Sequence, residues 1–168
     1  MENTLVQAKG RFLQCWGEMG SSWGINKTKA QIHALLMVGE KPLCTDEVMA
    51  ELKISRGNAN MNLRALVGWG LVRRAFQKGD RREYFQSEKD VWKMFCTISR
   101  ERKRREIEPV ISALKECLEI AGRDRENAPF RRQVESLLEF VRTADLLLGK
   151  ISQQEKSRIL PLLVKLLG

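Results

Sequence analysis

The sequence predicts a mainly α-helical fold with a helix-turn-helix and a two-stranded β wing, and three observations carry this prediction. Apolar residues recur at three- and four-residue spacing over most of the 168-residue chain, which is the period of an amphipathic helix. Only four prolines interrupt the chain. Between Thr45 and Gln86, two short helical stretches precede two β-type runs with a basic, glycine-containing loop between them.

Composition indicates a folded protein with a polyanionic partner. The chain is 43% hydrophobic and 30% charged, with a formal net charge of +9. Residues 45–105 hold fifteen Lys and Arg against eight Asp and Glu, and so concentrated a basic excess favours a polyanion. No stretch reaches the roughly 18 apolar residues of a membrane helix, and the N-terminus lacks a signal-peptide core. We therefore expect a cytoplasmic protein without a membrane partner.

The chemistry-bearing residues do not form a catalytic or metal-binding pattern. Four cysteines are widely spaced without a C-x-x-C pair, and His33 is the single histidine, so no metal is predicted. We expect all four thiols to be buried or half-buried. Because the sequence has neither paired carboxylates in one motif nor a phosphate-binding glycine loop, we predict no catalytic residue and no cofactor. The chain is not expected to be an enzyme.

The N-terminal part predicts two helices before the helix-turn-helix. Apolar and small residues give one face to a helix from Leu5 to Trp23, which Gly24 ends. Thr28 and Gln31 have the form of a capping box for the second helix. A turn follows at Lys41-Pro42.

The helix-turn-helix is predicted from its caps and its buried stripe. Thr45 is expected to cap the first helix, and Ser55 the second, which ends before Gly70. Residues 71–76 and 83–86 then read as strands that are joined by a loop turning at Gly79-Asp80. The inward side of the second helix is apolar at helical spacing, with Ala59, Leu63, Leu66 and Val67.

This order of elements is typical of a winged helix-turn-helix, whose second helix enters the DNA major groove. At about 100° per residue, Asn58, Met61 and Arg64 face outward and Asn60 lies on the flank. The amides suit a base edge, typically adenine, while the arginine suits guanine or a phosphate and the methionine a thymine methyl group. A plain surface helix is the alternative, but three Asn within five residues argue against it because Asn is a mediocre helix former.

The helix end and the hairpin are expected to hold the phosphate backbone. Ser55 and Gly57 let the helix N-terminus approach a phosphate. The basic side chains of the hairpin are expected along a phosphate backbone or in the minor groove, with a solvated loop as the alternative. The predicted DNA-binding residues are Ser55, Arg56, Gly57, Asn58, Asn60, Met61, Arg64, Lys78, Arg81 and Arg82.

The C-terminal part predicts further helices with two features of interest. The basic run 100–105 reads as the solvated face of a helix in preference to a phosphate contact, since Glu101 and Glu106 can pair with neighbouring bases. The apolar repeat 107–121 suits either a subunit seam or packing within the chain. Pro109 is expected to kink or break the helix near Arg105, and a later helix begins near Pro129. Residues 159–167 are mostly apolar.

Several segments resemble the GbsR-like branch of the MarR-type transcriptional regulators, over roughly half of the chain. They are SRGN at 55–58, LRAL at 63–66, WGLVRR at 69–74, GDRREYF at 79–85 and ERKRRE at 101–106. The resemblance implies a homodimer that grips two halves of a palindromic operator. This sequence departs from the family at Asn58, Asn60, Met61 and Asn62, where smaller residues are usual, so the operator sequence does not carry over.

The resemblance also implies a small-molecule effector, because some relatives in this branch respond to choline-type compounds. Quaternary ammonium ions sit well on indole faces. The candidate pocket residues are Trp16, Trp23, Trp92 and Phe95, and ordinary core tryptophans are the alternative.

The predicted organisation has three parts: a supporting N-terminal helix over 1–26, a winged helix-turn-helix over 27–87 and a helical dimerisation region over 88–168. The predicted function is sequence-specific regulation of transcription by a homodimer on double-stranded DNA. The alternative is a winged-helix module for protein assembly or for non-specific nucleic-acid binding.

Overall fold

Helices make up most of the structure, as the sequence predicted, and a small antiparallel sheet follows the helix-turn-helix. The computed structural model describes residues 2–153. The elements in chain order are α1 (Glu2–Ser22), α2 (Lys27–Val38), β1 (Leu43–Cys44), α3 (Thr45–Leu52), α4 (Arg56–Gly68), β2 (Val72–Ala75), β3 (Tyr84–Ser87), α5 (Val91–Arg102), a π-helical turn (Lys103–Ile107), α6 (Glu108–Ile120), a 3-10 turn (Arg125–Asn127) and α7 (Ala128–Gln153).

The chain divides into two compact units, the first ending at Asp90 and the second beginning at Val91. The first unit holds α1 to α4 and the sheet, and the second holds α5 to α7. The finer predicted division at residues 26 and 87, and the dimerisation role of the second part, stay predictions.

Two glycines let α1 pack closely against α2. A Cβ atom on Gly20 would lie 2.6 Å from Cβ of Ala30, and one on Gly17 would lie 2.8 Å from Cγ of Gln31. Asn26 then caps α2, because its side chain accepts a hydrogen bond from the backbone N–H of Lys29 at 3.1 Å. The prediction of a cap at Thr28 was wrong by two residues.

The buried stripe of α4 is the one that the sequence predicted. Ala59, Leu63 and Leu66 are almost fully buried, whereas Val67 is half-buried. They pack toward α2, which contributes Ile32 and other fully enclosed residues to the core of the first unit. Burial of this stripe fixes which face of α4 remains exposed.

The sheet has three strands in the order β1-β3-β2, one more than predicted. Strands β2 and β3 form the predicted antiparallel hairpin, in which Ala75 is paired with Tyr84. The additional strand β1 pairs Cys44 with the same Tyr84 from the other side. Two residues are too short to show the alternation that identifies a strand in a sequence.

The caps of the helix-turn-helix agree with the prediction at one of two positions. Ser55 caps α4, since its hydroxyl accepts from the backbone N–H of Asn58 at 3.3 Å. Cys44 rather than Thr45 occupies the cap position of α3, and its N–H donates to the Glu47 carboxylate at 2.7 Å. Thr45 is therefore the first residue of the helix.

The second unit is an antiparallel helical hairpin. Helix α5 continues through the π-helical turn into α6, and α7 runs back along this helix. Arg131, near the start of α7, donates to the carbonyl of Leu118 at 2.8 Å. Asp145, later in α7, pairs with Lys103, which lies earlier in the chain than Leu118, at 3.0 Å, so the two helices are antiparallel. Buried Val134 and Leu138 hold α7 in this hairpin.

Near Pro109 the helix changes its pitch and is not broken, so the predicted break was wrong and the predicted kink stays a prediction. The helix widens at Lys103–Ile107, where the N–H of Glu108 donates to the carbonyl of Lys103 five residues earlier. Proline cannot donate to the carbonyl four residues before it, and a π-helical turn absorbs that missing bond without ending the helix.

Two of the four cysteines contradict the prediction of burial. Cys44 and Cys96 are buried, but Cys15 and Cys117 are exposed.

Helix α7 runs through Ser152, whose hydroxyl donates to the carbonyl of Gly149 at 3.0 Å. The apolar segment 159–167 lies outside the described residues.

Candidate nucleic-acid interface

The N-terminal turn of α4 is open to an incoming molecule. Ser55, Arg56 and Gly57 are exposed, and a Cβ atom on Gly57 would meet no other atom within 4 Å. The guanidinium of Arg56 is held by an ion pair with Asp46. Backbone N–H groups at such a helix end can bind a phosphate, and the glycine leaves space for it.

The outward face of α4 carries an apolar and a cationic side chain, as predicted. Met61 is 61% exposed and offers an apolar contact on this face. Arg64 is exposed one turn further along and has no ion-pair partner among residues 2–153. A thymine methyl group and a guanine edge or phosphate are the matching partners in a major groove.

The three asparagines of α4 have different surroundings. Asn62 is only 1% exposed, and its Nδ2 donates to the backbone carbonyl of Asn58 at 2.9 Å and to Oδ1 of Asn58 at 2.7 Å. Asn60 is half-buried, and Oδ1 of Asn60 accepts from the hydroxyl of Thr45 at 3.2 Å. The asparagines therefore organise the helix-turn-helix from within as well as facing outward.

A network of polar contacts holds the base of the wing. Arg82 donates to both carboxylate oxygens of Asp80, at 2.6 to 3.2 Å, and to the hydroxyl of Tyr84 at 2.8 Å. That hydroxyl donates in turn to Asp80 at 2.7 Å. The hydrogen bonds from Arg82 hold the pKa of Asp80 far below its usual range, and the bonds to Asp80 raise the pKa of Arg82 and that of Tyr84. Arg82 thus shapes the wing in addition to facing solvent.

The tip of the wing is basic and turns where the sequence predicted. Gly79 has φ +86° and the N–H of Asp80 donates to the carbonyl of Gln77 at 3.2 Å, which closes the turn. Lys78 and Arg81 are exposed beside it. Arg74 of β2 pairs with Glu83 at 2.8 Å, which neutralises the Glu83 carboxylate.

Phe76 is a wing residue that sequence reasoning missed. Its side chain is 85% exposed, the largest fraction among the exposed large apolar residues that the structure describes. It lies where the β2–β3 pairing has ended, between Arg74 and Lys78 in the sequence. The signal was a phenylalanine in a run of basic residues, which we interpreted as the last residue of a strand.

Comparison with known proteins identifies the domain to which these features belong. Residues 23–83 match the model of the MarR family, and this segment includes α2 to α4 and most of the wing. Over these residues the chain is similar to the MarR family. The chain is 23% identical over 113 residues to the HTH-type transcriptional repressor GbsR of Bacillus subtilis, and 21% identical over 94 residues to YvaV of the same bacterium.

Both relatives support the resemblance to the GbsR-like branch, although their sequence identity to this chain is low. The matches cover 62% of GbsR and 53% of YvaV, so less than two thirds of each relative is matched. A crystal structure of a transcriptional regulator has the same fold, with a TM-score of 0.65 and 23% identity over 87% of this chain and 99% of its own. The matched family and both relatives are transcriptional regulators, which are not enzymes, in agreement with the predicted class.

The predicted effector residues form separate aromatic groups. In the first unit, the Trp16 ring lies 5.6 Å from that of Phe12 and 6.2 Å from that of His33. Trp23 is half-exposed at the end of α1. On α5, the rings of Trp92 and Phe95 stack 5.4 Å apart. A shared pocket of these residues stays a prediction.

The basic run 100–105 makes ion pairs within the chain. Glu101 accepts from Arg104 at 2.9 Å and from Arg105 at 3.0 Å, and Arg102 pairs with Glu106 at 3.1 Å. The predicted pairing of Glu101 and Glu106 with neighbouring bases is present, and the preference for a solvated face over a phosphate contact stays a prediction. In the part of the chain that the structure describes, no helix has the length and apolar character to cross a membrane, and no cluster of His, Cys, Asp and Glu could hold a metal ion.

Proposed function

We propose that this chain is a sequence-specific DNA-binding regulator that acts as a homodimer on a palindromic operator. The observation that carries the proposal is the outer surface of α4. There an open helix N-terminus at Gly57, an exposed Met61 and an unpaired Arg64 follow one another along a single face. An α-helix that presents such side chains fits the major groove, and the basic wing beside it fits the backbone.

The charge distribution supports DNA over a protein partner. Acidic residues close to the reading surface are already engaged within the chain, since Asp46 pairs with Arg56, Asp80 with Arg82 and Glu83 with Arg74. Lys78 and Arg81 have no ion-pair partner in the structure between residues 2 and 153. The nearby carboxylates are therefore already paired, and these two cations face solvent where a phosphate can reach them.

A second copy of the chain is supported by the α6–α7 hairpin. Exposed apolar residues follow one row on each helix. Each helix turns about 100° per residue, so the position of each row around its helix can be compared with the side that faces the other helix. Both rows lie in the same rotational sense from that side. Because the two helices are antiparallel, the two rows then lie on the same side of the hairpin. This α6–α7 apolar face consists of Val110, Cys117 and Ile120 of α6 and Phe130, Leu137, Phe140 and Leu147 of α7. An apolar surface of this kind marks an interaction site.

The experiment is selection of bound fragments from the source genome, followed by fluorescence anisotropy on the selected DNA. We expect the logarithm of the binding constant to fall linearly with the logarithm of salt concentration. Arg64→Ala and Asn60→Ala should each weaken operator binding by about tenfold or more, since each removes a base contact. Arg132→Ala removes an exposed arginine from α7 and serves as the matched control.

Equal affinity for all sequences would contradict the proposal. If the protein is in addition monomeric, the winged helix is a module for assembly or for non-specific binding.

The same assay tests the effector with choline-type quaternary amines, for which Trp16, Trp23, Trp92 and Phe95 are the proposed contacts. We expect DNA release with a change in tryptophan fluorescence. If both are absent, the effector part is overturned while the DNA-reading part stands.

A further inference from the structure

We propose that buried Asn62 is a positioning residue that turns the amide of Asn58 so that only its NH2 group faces outward. The inference rests on the proposed DNA-binding function of α4 and names the kind of base edge that one side chain reads. It concerns a residue that makes no contact with DNA itself, because its side chain is enclosed within the domain.

The orientation of both amides follows from the backbone. An atom of the Asn62 amide lies 2.9 Å from the backbone carbonyl oxygen of Asn58. A carbonyl oxygen only accepts hydrogen bonds, so this atom is the nitrogen Nδ2. The same nitrogen lies 2.7 Å from the side chain of Asn58, and that neighbour must therefore be the acceptor Oδ1.

The outward end of Asn58 is consequently a donor. Its Oδ1 is engaged by Asn62, and none of residues 2–153 accepts a hydrogen bond from its Nδ2. Asn58 lies in the first turn of α4, between the open position of Gly57 and the buried Ala59. A molecule that docks on this turn meets an NH2 group there.

A buried asparagine is costly unless its polar atoms are used. An apolar residue at position 62 would extend the buried stripe of Ala59, Leu63 and Leu66, and Asn is a weaker helix former than Leu. Packing alone therefore favours a residue other than the one present. The two hydrogen bonds to Asn58 are what an apolar residue could not supply.

This arrangement changes the base that Asn58 is expected to read. The pairing of asparagine with adenine is bidentate and needs both Oδ1 and Nδ2. With Oδ1 turned inward to Asn62, Asn58 presents its NH2 donors outward, and these match the acceptors of guanine, N7 and O6, or O4 of thymine. We infer a guanine or a thymine, and not a bidentate adenine, at the position that Asn58 meets in each half-site.

The test is selection from duplexes randomised at the half-site, using the full chain. The wild type should enrich guanine or thymine at one position per half-site, and Asn58→Ala should lose that preference. Asn62→Leu frees the Asn58 amide to turn, so preference at the same position should shift toward adenine by about tenfold. Leu63→Met, a change in the same buried stripe without a hydrogen bond, should retain the wild-type preference.

Two further variants keep the test decisive. Asn58→Ala combined with Asn62→Leu should match Asn58→Ala alone, because Asn62 acts through Asn58. Asn58→Asp keeps an acceptor for Asn62 but places a second acceptor outward, so preference should move to the N4 amino group of cytosine. Asn58→Asp leaves the buried core unchanged, so it tests the inference even if Asn62→Leu fails to fold.

The outcomes separate this inference from the proposed function. If the wild type binds specific DNA but Asn62→Leu and Asn58→Asp keep its base preference, the positioning role is overturned and the regulator stands. If the wild type enriches no sequence, both are overturned.

Discussion

Gly57 is a residue whose identity the fold of the chain does not explain. Its backbone does not adopt a positive φ, and a Cβ atom there would meet open space. Glycine in a helix costs up to about 1 kcal/mol relative to alanine. Because Gly57 lies at the N-terminus of the helix proposed to read DNA, we interpret it as leaving space for a phosphate there.

This explanation predicts opposite effects of one substitution on stability and binding. Gly57→Ala should raise the free energy of unfolding by about 0.5 to 1 kcal/mol and weaken operator binding by about tenfold, because a methyl group would stand between phosphate and backbone N–H groups. Gly68→Ala is the control, since Gly68 is equally open at the other end of α4. It should give the stability gain alone. Unchanged binding by both variants would remove the phosphate role of Gly57.

Asparagine shows what a residue count in the sequence predicts and what it does not. The three asparagines of α4 indicate a helix with an additional task, and the DNA-reading role stays a prediction. Asn58 and Asn60 reach the surface, but Asn62 is enclosed and serves Asn58 from within. Helical spacing placed Asn62 near the boundary of the buried stripe, and only the packing of side chains decides which side of the boundary it takes.

At the scale of elements, the sequence predicted which helices form better than where they begin. Asn26 and Thr28 are both good caps, and the tight turn in which the N–H of Ile25 donates to the carbonyl of Gly20 at 2.8 Å decides between them. Strand β1 was missed because its two residues become a strand only by pairing with β3. Such features depend on contacts between distant segments and not on local preference.

The α1–α2 pair contains a buried histidine that makes the first unit sensitive to acid. Nε2 of His33 is enclosed without a hydrogen-bond partner in the described structure, beside the ring of Trp16. Burial lowers the pKa of His33 from 6.5 to about 4. Between pH 6.5 and pH 4, His33 is therefore protonated in the unfolded chain and neutral in the folded chain.

Stability should consequently fall as the pH drops through this window, and the contribution of His33 should be constant above it. The full effect of such a shift is about 3 kcal/mol. His33→Leu should remove this part of the pH dependence, because leucine does not titrate. The measurement is urea unfolding of both proteins at several pH values, in which carboxylates titrate alike and cancel. Parallel curves for the two proteins would contradict the assignment.

At the scale of the molecule, one winged helix can read only one half of a palindrome. Under the proposed homodimer, we expect the second unit to provide the contact between two copies, because its α6–α7 apolar face offers exposed apolar surface. Phe140 is 70% exposed near the middle of α7, so packing among residues 2–153 leaves most of its side chain uncovered. Burial against a second copy would remove this apolar surface from water.

Phe140→Asp should therefore convert the protein from dimer to monomer in sedimentation experiments. A carboxylate in the seam would lose its hydration, whereas the isolated monomer keeps its stability because the residue is exposed. Operator binding should weaken by about 100-fold or more, since the two half-sites are no longer bound by linked domains. Phe76→Asp makes the same substitution at a more exposed site on the wing and should leave the dimer intact. A Phe140→Asp protein that remains dimeric would place the seam elsewhere in the chain.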